Sequence, residues 1–357
     1  MKSALVVFPD EWVSYSPTVL NLISCLENEG YIVTVIAFNL EGFVDNSTVP
    51  NCELITISKL KARWLKQLGK YKDFKLKRLQ EWLKTKVNTQ FDLVFGIDST
   101  GYIVAKQKFD HTIFLSLEIL RDSYFERCLE LGIDYLVIQT KERAEYLNLG
   151  EKCKIHYLPN APIIENKKSS PSTFRGNLLY LGNIKNYYGI EECVDSTMLH
   201  PGFTLTIKGI KDDNYCNLLL KKYADVIEQK RLIFDFSYTE QSQIINSISN
   251  YDIGFSFYDM ELIGKQNFNY ISSPAGKVYN YFAAGLPVIG QNIVGMKCLE
   301  EHKAGILINE RTVDNISMAI KTIENNYVSF STNALKASLV FDFKKAFDSL
   351  MISLKQR

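Results

Sequence analysis

Lys277 stands at the opening of an apolar, helix-like run within YISSPAGKVYNYFAAGLPVIG, residues 270–290. A cation there opposes the helix dipole, which favours an anion near its N-terminus. A bound anion removes the conflict, because free amides, a glycine and an ammonium at a helix mouth make a phosphate site. Ser272 and Ser273 can each accept a bond from a backbone amide, so either can cap this helix, and Pro274 suits its first position. Gly276 puts no side chain over the first turn. The same residues also read as an ordinary capped core helix with Lys277 in solvent. The helix continues through Val278, Tyr281, Phe282 and Ala284 to Gly285, and 286–289 reads as a short buried strand.

Other residues with usable chemistry fall where apolar runs end. Asp98 follows the run 91–96 and Glu118 follows the run 111–115. Open α/β sheets bind ligands at the carboxyl ends of their strands, and a carboxylate there can orient a hydroxyl or take its proton. Glu118 reads equally as a surface residue opening the next helix. Ser14 and Tyr15 occupy the loop after the first strand. Further along, Gly182 and Gly189 bracket a loop holding Lys185, and both let the backbone approach a phosphate. Lys208 precedes Gly209 at another strand end. Tyr258 closes the strand 252–257, beside the expected phosphate helix.

The elements that must position these residues follow a repeating pattern. Buried runs at 4–8, 31–38, 52–57, 91–96, 111–115, 134–138 and 154–158 read as strands, with helical periodicity at 17–29 and 141–149. Ser99 is placed to cap a helix over 101–107. Strand, helix, strand at this spacing is a βαβ unit and argues for a parallel sheet. The polar stretch 165–176 has a linker composition. The rhythm restarts with strands at 177–181, 203–207, 231–236, 252–257 and 305–308. Thr312 or Asp314 caps a following helix, and the tail 334–357 is amphipathic. The expected division is 1–162, 163–335 and a terminal helix at 336–357.

Composition narrows the function class. A length of 357 residues argues for two domains, and a charged fraction of 23% beside 46% hydrophobic residues is that of a globular protein. A net charge of +1 points to no nucleic-acid partner. Seven cysteines without a C-x-x-C pair and four scattered histidines give no disulfide framework and no metal constellation, so no metal and no cofactor is expected. The opening apolar run is too short for a signal peptide, and none approaches the roughly 20 residues of a membrane span. The expected location is the cytoplasm, with any membrane contact peripheral, at the inner face. One segment stands out. Residues 59–86 hold eleven Lys or Arg against Asp73 and Glu81 alone. Leu60, Trp64 and Leu68 lie one helical turn apart, as do Leu79, Trp82 and Leu83. Two readings stay open: two helices packed on the sheet with a solvated basic face, or a basic, Trp-bearing surface for an anionic membrane.

The 270–290 stretch resembles the nucleotide-sugar helix of family 4-type glycosyltransferases of the GT-B fold, in the subgroup written S-P-N-K-L-F-E-Y-x-A-A-G-x-P-V-I. Ser273, Pro274, Lys277, Tyr281, Ala283, Ala284, Gly285, Pro287, Val288 and Ile289 match. Asn280 stands where the subgroup has a ribose-binding Glu, and Ser272 where the wider family has its first Glu. Residues 182–189 resemble the G-R-x-x-x-x-K-G donor loop, with Asn183 for Arg and Tyr188 for Lys. Residues 116–118 resemble a D-x-H-E segment that keeps Glu118, and 159–162 resemble the P-N-A turn closing the N-terminal domain. The resemblance implies two facing Rossmann-like, doubly wound parallel-sheet domains with a cleft between them, an acceptor-binding domain first and a nucleotide-sugar domain second.

The implied activity is transfer of a sugar from a nucleoside diphosphate donor, UDP favoured, to a saccharide or lipid-linked saccharide in bacterial surface polysaccharide synthesis. It would be metal-independent, hexosyltransferase-type and retaining. Donor contacts are expected from Gly182, Asn183, Lys185, Tyr188, Lys208, Tyr258, Ser272, Ser273, Gly276, Lys277 and Asn280. Acceptor contacts are expected from Ser14, Tyr15 and Glu118, and chemistry from Glu118, Lys277 and Asp98. A non-catalytic GT-B relative that binds saccharide or stabilises a partner enzyme is the alternative, with a sugar-nucleotide epimerase of the same fold behind it.

Overall fold

The computed structural model describes residues 1–42, 49–87, 90–150, 153–165, 173–264 and 267–355. Most of the linker-like stretch 165–176 therefore lies outside the described residues. The chain divides into two compact units, one of residues 1–160 with 343–357 and one of residues 161–342.

The first unit carries β1 (Lys2–Val7), α1 (Pro17–Asn28), β2 (Tyr31–Leu40), β3 (Cys52–Ile57), α2 (Lys59–Gln67) and α3 (Tyr71–Lys86). It continues with β4 (Leu93–Ile97), α4 (Asp98–Lys106), β5 (Thr112–Ser116), α5 (Ser123–Leu131), β6 (Tyr135–Ile138), α6 (Lys141–Leu147) and β7 (Lys154–Tyr157). Its seven strands run in the order β3-β2-β1-β4-β5-β6-β7, paired in parallel throughout. Helices cover both faces of the middle of such a sheet, so its central strands read as apolar runs: β4 and β5 are buried at every position, whereas the edge strands β3 and β7 are partly exposed. Ser99 does not cap α4. The helix starts at Asp98 behind Ile97, with no side-chain cap.

The second unit holds β8 (Asn177–Leu181), α7 (Ile190–Met198), β9 (Thr204–Lys208), α8 (Asp213–Lys222), α9 (Ala224–Glu228), β10 (Leu232–Asp235) and α10 (Ile244–Ser247). After these come β11 (Ile253–Ser256), α11 (Met260–Ile263), α12 (Phe268–Ile271), α13 (Gly276–Ala284), β12 (Val288–Gln291) and α14 (Cys298–Glu301). β13 (Gly305–Ile308), α15 (Val313–Asn325) and α16 (Tyr327–Val340) complete it. The six strands are again parallel, in the order β10-β9-β8-β11-β12-β13. This order reverses direction between β8 and β11, which makes their carboxyl ends the switch point where such sheets bind ligands.

One buried carboxylate ties the second unit's opposite edge. Asp252, fully buried at the head of β11, accepts the backbone amides of Arg175 and Asn177 at 3.0 and 2.8 Å and the Tyr327 hydroxyl at 3.2 Å. Thr312, not Asp314, caps α15 by accepting the Asn315 amide at 3.2 Å. The amphipathic tail is broken near Asp342. Beyond the break, α17 (Phe343–Lys355) buries Phe347, Leu350 and Met351 in the first unit and packs on α1. The final two residues of the tail lie outside the described residues. Among the described residues no helix is long and apolar enough to cross a membrane.

Candidate functional site

The second unit places Lys277 on the first turn of α13, facing the carboxyl end of β8. The helix starts two residues later than the serine caps imply. Ala275 is its N-cap, and no side chain caps it. Instead the Ser272 hydroxyl donates to the Phe268 carbonyl and the Ser273 hydroxyl to the Pro274 carbonyl at 3.3 Å. Both serines are buried, at 0% and 4% exposure, with the backbone of the 294–296 turn against them. A Cβ on Gly295 would come within 2.3 Å of the Ser273 nitrogen, so only glycine allows this approach. Ala275 gives the α13 N-terminus no side-chain cap, where the positive end of the helix dipole lies.

The Lys277 ammonium lies 4.3 Å above the centre of the Tyr180 ring and 5.0 Å from that of Tyr188. No carboxylate among the described residues pairs with it. Aromatic faces are modest partners for a cation, and a buried ammonium without a counter-charge is costly. Burial therefore pulls the Lys277 pKa down to about 7. The residue as a whole keeps part of its surface accessible, while the ammonium itself is buried. Gly182 closes the far side. Its φ of +126° is a glycine conformation, and a Cβ there would lie 3.5 Å from the Lys277 nitrogen. Gly209 makes room for this loop, because its own Cβ would sit 1.7 Å from the Gly182 carbonyl oxygen.

Tyr281 fixes the helix in this position. Its hydroxyl accepts the Leu181 amide at 2.8 Å and donates to the Phe255 carbonyl at 3.3 Å. The ring occupies the space over Gly254, where a Cβ would come within 2.5 Å. Lys277 and Tyr281 are four residues apart and share a helix face.

The remaining donor candidates divide. Gly276, Asn280 and Lys277 share α13, with Asn280 partly exposed one turn on. Tyr188 is buried beneath Lys277 and packs edge-on against Tyr258, 5.9 Å between ring centres. Asn183 is exposed, and its carbonyl accepts the Tyr180 hydroxyl at 2.6 Å. Lys185 stacks its ammonium 5.7 Å over Tyr187. Lys208 meets Gly182 through its backbone, its carbonyl accepting the Gly182 amide at 2.9 Å. It is 7% exposed and pairs with Asp235 at 2.5 Å and with Ser237 at 3.1 Å. Sequence reasoning missed Tyr180, Gly295 and Arg311. Arg311 joins Glu192 at 2.9 Å to Asp259 at 3.0 Å, with its stem filling the space beside Gly189. Only the position of Arg311 at a strand's carboxyl end hinted at it.

The first unit gathers a second group at the carboxyl ends of β1, β4 and β5. Asp98 adopts φ +49°, a left-handed conformation rare outside glycine and costly for a residue so placed. Its Oδ1 accepts the amides of Leu117 and Glu118 at 2.7 and 3.0 Å. Burial, with Asp10 and Glu118 nearby, raises its pKa to about 7 despite those bonds. Burial also raises that of Glu118, opposed by Arg143. The Arg143 side chain, 4% exposed, donates to the Leu117 carbonyl at 2.7 Å. Ser14 and Tyr15 lie in the 3-10 turn Val13–Tyr15 after β1, Ser14 partly buried and Tyr15 46% exposed.

No protein-family model matches the chain. No curated protein matches it either. Solved structures do. Anabaena HepE in complex with UDP-glucose superposes with a TM-score of 0.68 at 13% identity, covering 100% of each chain. A glycosyltransferase from Rickettsia africae gives 0.68 at 15% identity, covering 99% of this chain and 98% of that one. Sucrose-phosphate synthase from Thermosynechococcus elongatus gives 0.66 at 13%, covering 100% of each. Identities this low speak for architecture. The chain has the α/β GT-B fold, two Rossmann-like parallel-sheet domains.

Proposed function

We propose that this GT-B chain is a glycosyltransferase that takes its sugar from a nucleoside diphosphate donor, UDP favoured. The observation that carries the reading is the Lys277 ammonium, buried with no carboxylate paired to it among the described residues, on the first turn of α13 and beside Gly182. A diphosphate supplies the missing charge. As the glycosidic bond to the donor breaks, negative charge grows on the departing diphosphate, and preorganised donors at that place lower the barrier. Lys277 and the α13 amides would do this without a metal ion, and Asn280 would reach a ribose hydroxyl as a neutral donor and acceptor. Asp98 and Glu118, both with raised pKa values, would orient the acceptor hydroxyl. That the solved structures sharing this fold include one bound to UDP-glucose supports the donor class. A saccharide or lipid-linked saccharide acceptor, a retaining course and a place in bacterial surface polysaccharide synthesis complete the proposal.

A second reading has an observation in its favour. Asn183 and Tyr188 stand where the resembling donor loop has cations, and the Tyr188 ring underlies Lys277. A site with that charge removed fits a non-catalytic relative that binds sugar or a partner. Calorimetric titration with UDP, GDP and CMP, followed by release of UDP from UDP-sugars, separates the two. The transferase binds UDP, releases it slowly from a UDP-sugar without added acceptor, loses both in Lys277→Ala and is indifferent to EDTA. UDP binding without any turnover favours the non-catalytic relative, and absence of nucleotide binding removes the donor site altogether.

A further inference from the structure

The helix α2 presents an apolar stripe that the first unit leaves uncovered. Leu60, Trp64 and Leu68 are 83%, 58% and 48% exposed, whereas Ala62 and Leu65 on the other side are buried in the unit. Spaced by four residues, the three line one side of the helix over roughly 12 Å. Lys59, Lys61, Arg63, Lys66 and Lys70 surround them, all exposed, and no acidic residue interrupts the stretch before Asp73. None of these five cations pairs with a carboxylate among the described residues, whereas Lys72 and Lys75 of α3 pair with Asp122 and Asp10. Next to the stripe, between α2, α3 and the end of β3, lies a cavity of about 430 Å³. Thr56, Ser58, Lys61, Lys77 and Arg78 line it, with Glu81 at 3.2 Å from Arg78 as its one carboxylate.

We propose that α2 docks the protein on an anionic phospholipid bilayer. Leu60, Trp64 and Leu68 enter the interfacial region, the surrounding cations meet lipid phosphates, and the basic cavity seats a headgroup. The side-chain chemistry selects this occupant. Protein interfaces deplete lysine at their cores, whereas interfacial helices join Lys and Arg to Trp and Leu. A nucleic acid would satisfy the cations but gives two aliphatic leucines nothing to bury against. The surface is also wired to the rest of its unit. The buried Lys75 of α3 bonds Asp10 and lies 3.8 Å from Glu11, and the Tyr71 hydroxyl donates to Glu11. Both acids lie in the segment between β1 and the turn carrying Ser14 and Tyr15. Membrane docking through α2 needs no nucleotide sugar, and UDP binding measured on the same sample reads the other site separately.

Vesicle co-sedimentation with the full chain tests it, using phosphatidylcholine alone and phosphatidylcholine with about 30% phosphatidylglycerol. Binding is expected to the anionic vesicles only and to fall at about 0.5 M NaCl, where charges are screened within ~4 Å. The exposed double variants Lys61→Glu/Arg63→Glu and Leu60→Ser/Trp64→Ser should each weaken it about tenfold or more, with circular dichroism and UDP binding unchanged. Vesicles should shift the tryptophan emission to the blue in the native chain, and Trp64→Phe should abolish the shift while Trp12 and Trp82 remain. Equal binding to neutral vesicles, insensitivity to salt, or variants that bind like the native chain would each overturn the proposal. So would a preference for duplex DNA over anionic vesicles that survives Leu60→Ser/Trp64→Ser.

Discussion

The hydroxyl of Tyr281 accepts the backbone amide of Leu181 at 2.8 Å, linking α13 to the last residue of β8. The amide it satisfies is the one immediately before Gly182, and Lys277 lies one turn earlier on the same helix face. One phenol therefore sets both walls of the proposed diphosphate pocket. Tyr281→Phe keeps the ring over Gly254 but takes from the partly buried Leu181 amide its hydroxyl partner. Such a loss costs about 1–3 kcal/mol. The expected outcome is a lower urea midpoint together with UDP binding weakened beyond what Asn280→Ala produces, both read by calorimetry and denaturation. Unchanged UDP affinity would show that the hydroxyl holds the fold without setting the pocket.

Lys277 should make nucleotide binding depend on pH in a definite direction. Burial lowers its pKa from 10.5 to about 7, so the free protein loses the ammonium as pH rises through 7. Between 7 and 10.5 the unfolded chain holds a proton the folded chain lacks, and this group's contribution to stability rises with pH. A diphosphate reverses the preference and must restore the proton on binding. UDP affinity should therefore fall above pH 7, approaching about tenfold per pH unit, the limit for one linked proton. The β-phosphate is already ionised there, so its own titration does not intrude. Isothermal titration from pH 7.5 to 9 in buffers of different ionisation enthalpy reads both the slope and the proton taken up. Lys277→Met should bind weakly with no slope, and a native protein with a flat profile would place the ammonium away from the phosphates.

The central strands were legible in the sequence because they are buried on both faces and appear as apolar runs, as β4 and β5 do, whereas the edge strand β3 is half exposed. The run at 52–57 and the helix opening at 17 match β3 and α1 almost residue for residue. The mouth of α13 was legible in its residues but not in its geometry. Ser272 and Ser273 have the chemistry of caps, yet their hydroxyls turn to nearby carbonyls, a local competition that spacing does not decide. Lys208 reads as a candidate pocket cation because it ends a strand. Its partner Asp235 lies on β10, and a pairing 27 residues apart leaves no mark in either local pattern. In the sequence Tyr180 is one more residue of the strand 177–181, and only the crossing of α13 over β8 brings its ring under Lys277. Asp252 likewise opens the strand 252–257 in the sequence, although its carboxylate gathers Arg175, Asn177 and Tyr327.

Asp98 offers a substitution that separates structure from chemistry. Its carboxylate is held in a left-handed backbone position and accepts two amides through one oxygen. Asparagine tolerates that backbone region and keeps an acceptor at Oδ1, so Asp98→Asn should preserve the loop joining β5 to Glu118. The native carboxyl, its pKa raised from 3.8 to about 7 chiefly by burial, holds a proton between those values that the unfolded chain releases. Its contribution to stability therefore declines as pH rises from 3.8 to 7 and stays low above. The variant has no such titration. Asp98→Asn should gain in urea stability relative to the native chain between pH 5 and pH 8, while Asp98→Ala, with two orphaned amides, should lose about 1–3 kcal/mol. If the carboxylate serves the acceptor hydroxyl as proposed, Asp98→Asn should also cut sugar transfer by about 10²-fold or more while UDP affinity stays native. Transfer at the native rate in a stabilised Asp98→Asn would assign the residue to the backbone alone and leave Glu118 as the carboxylate to test.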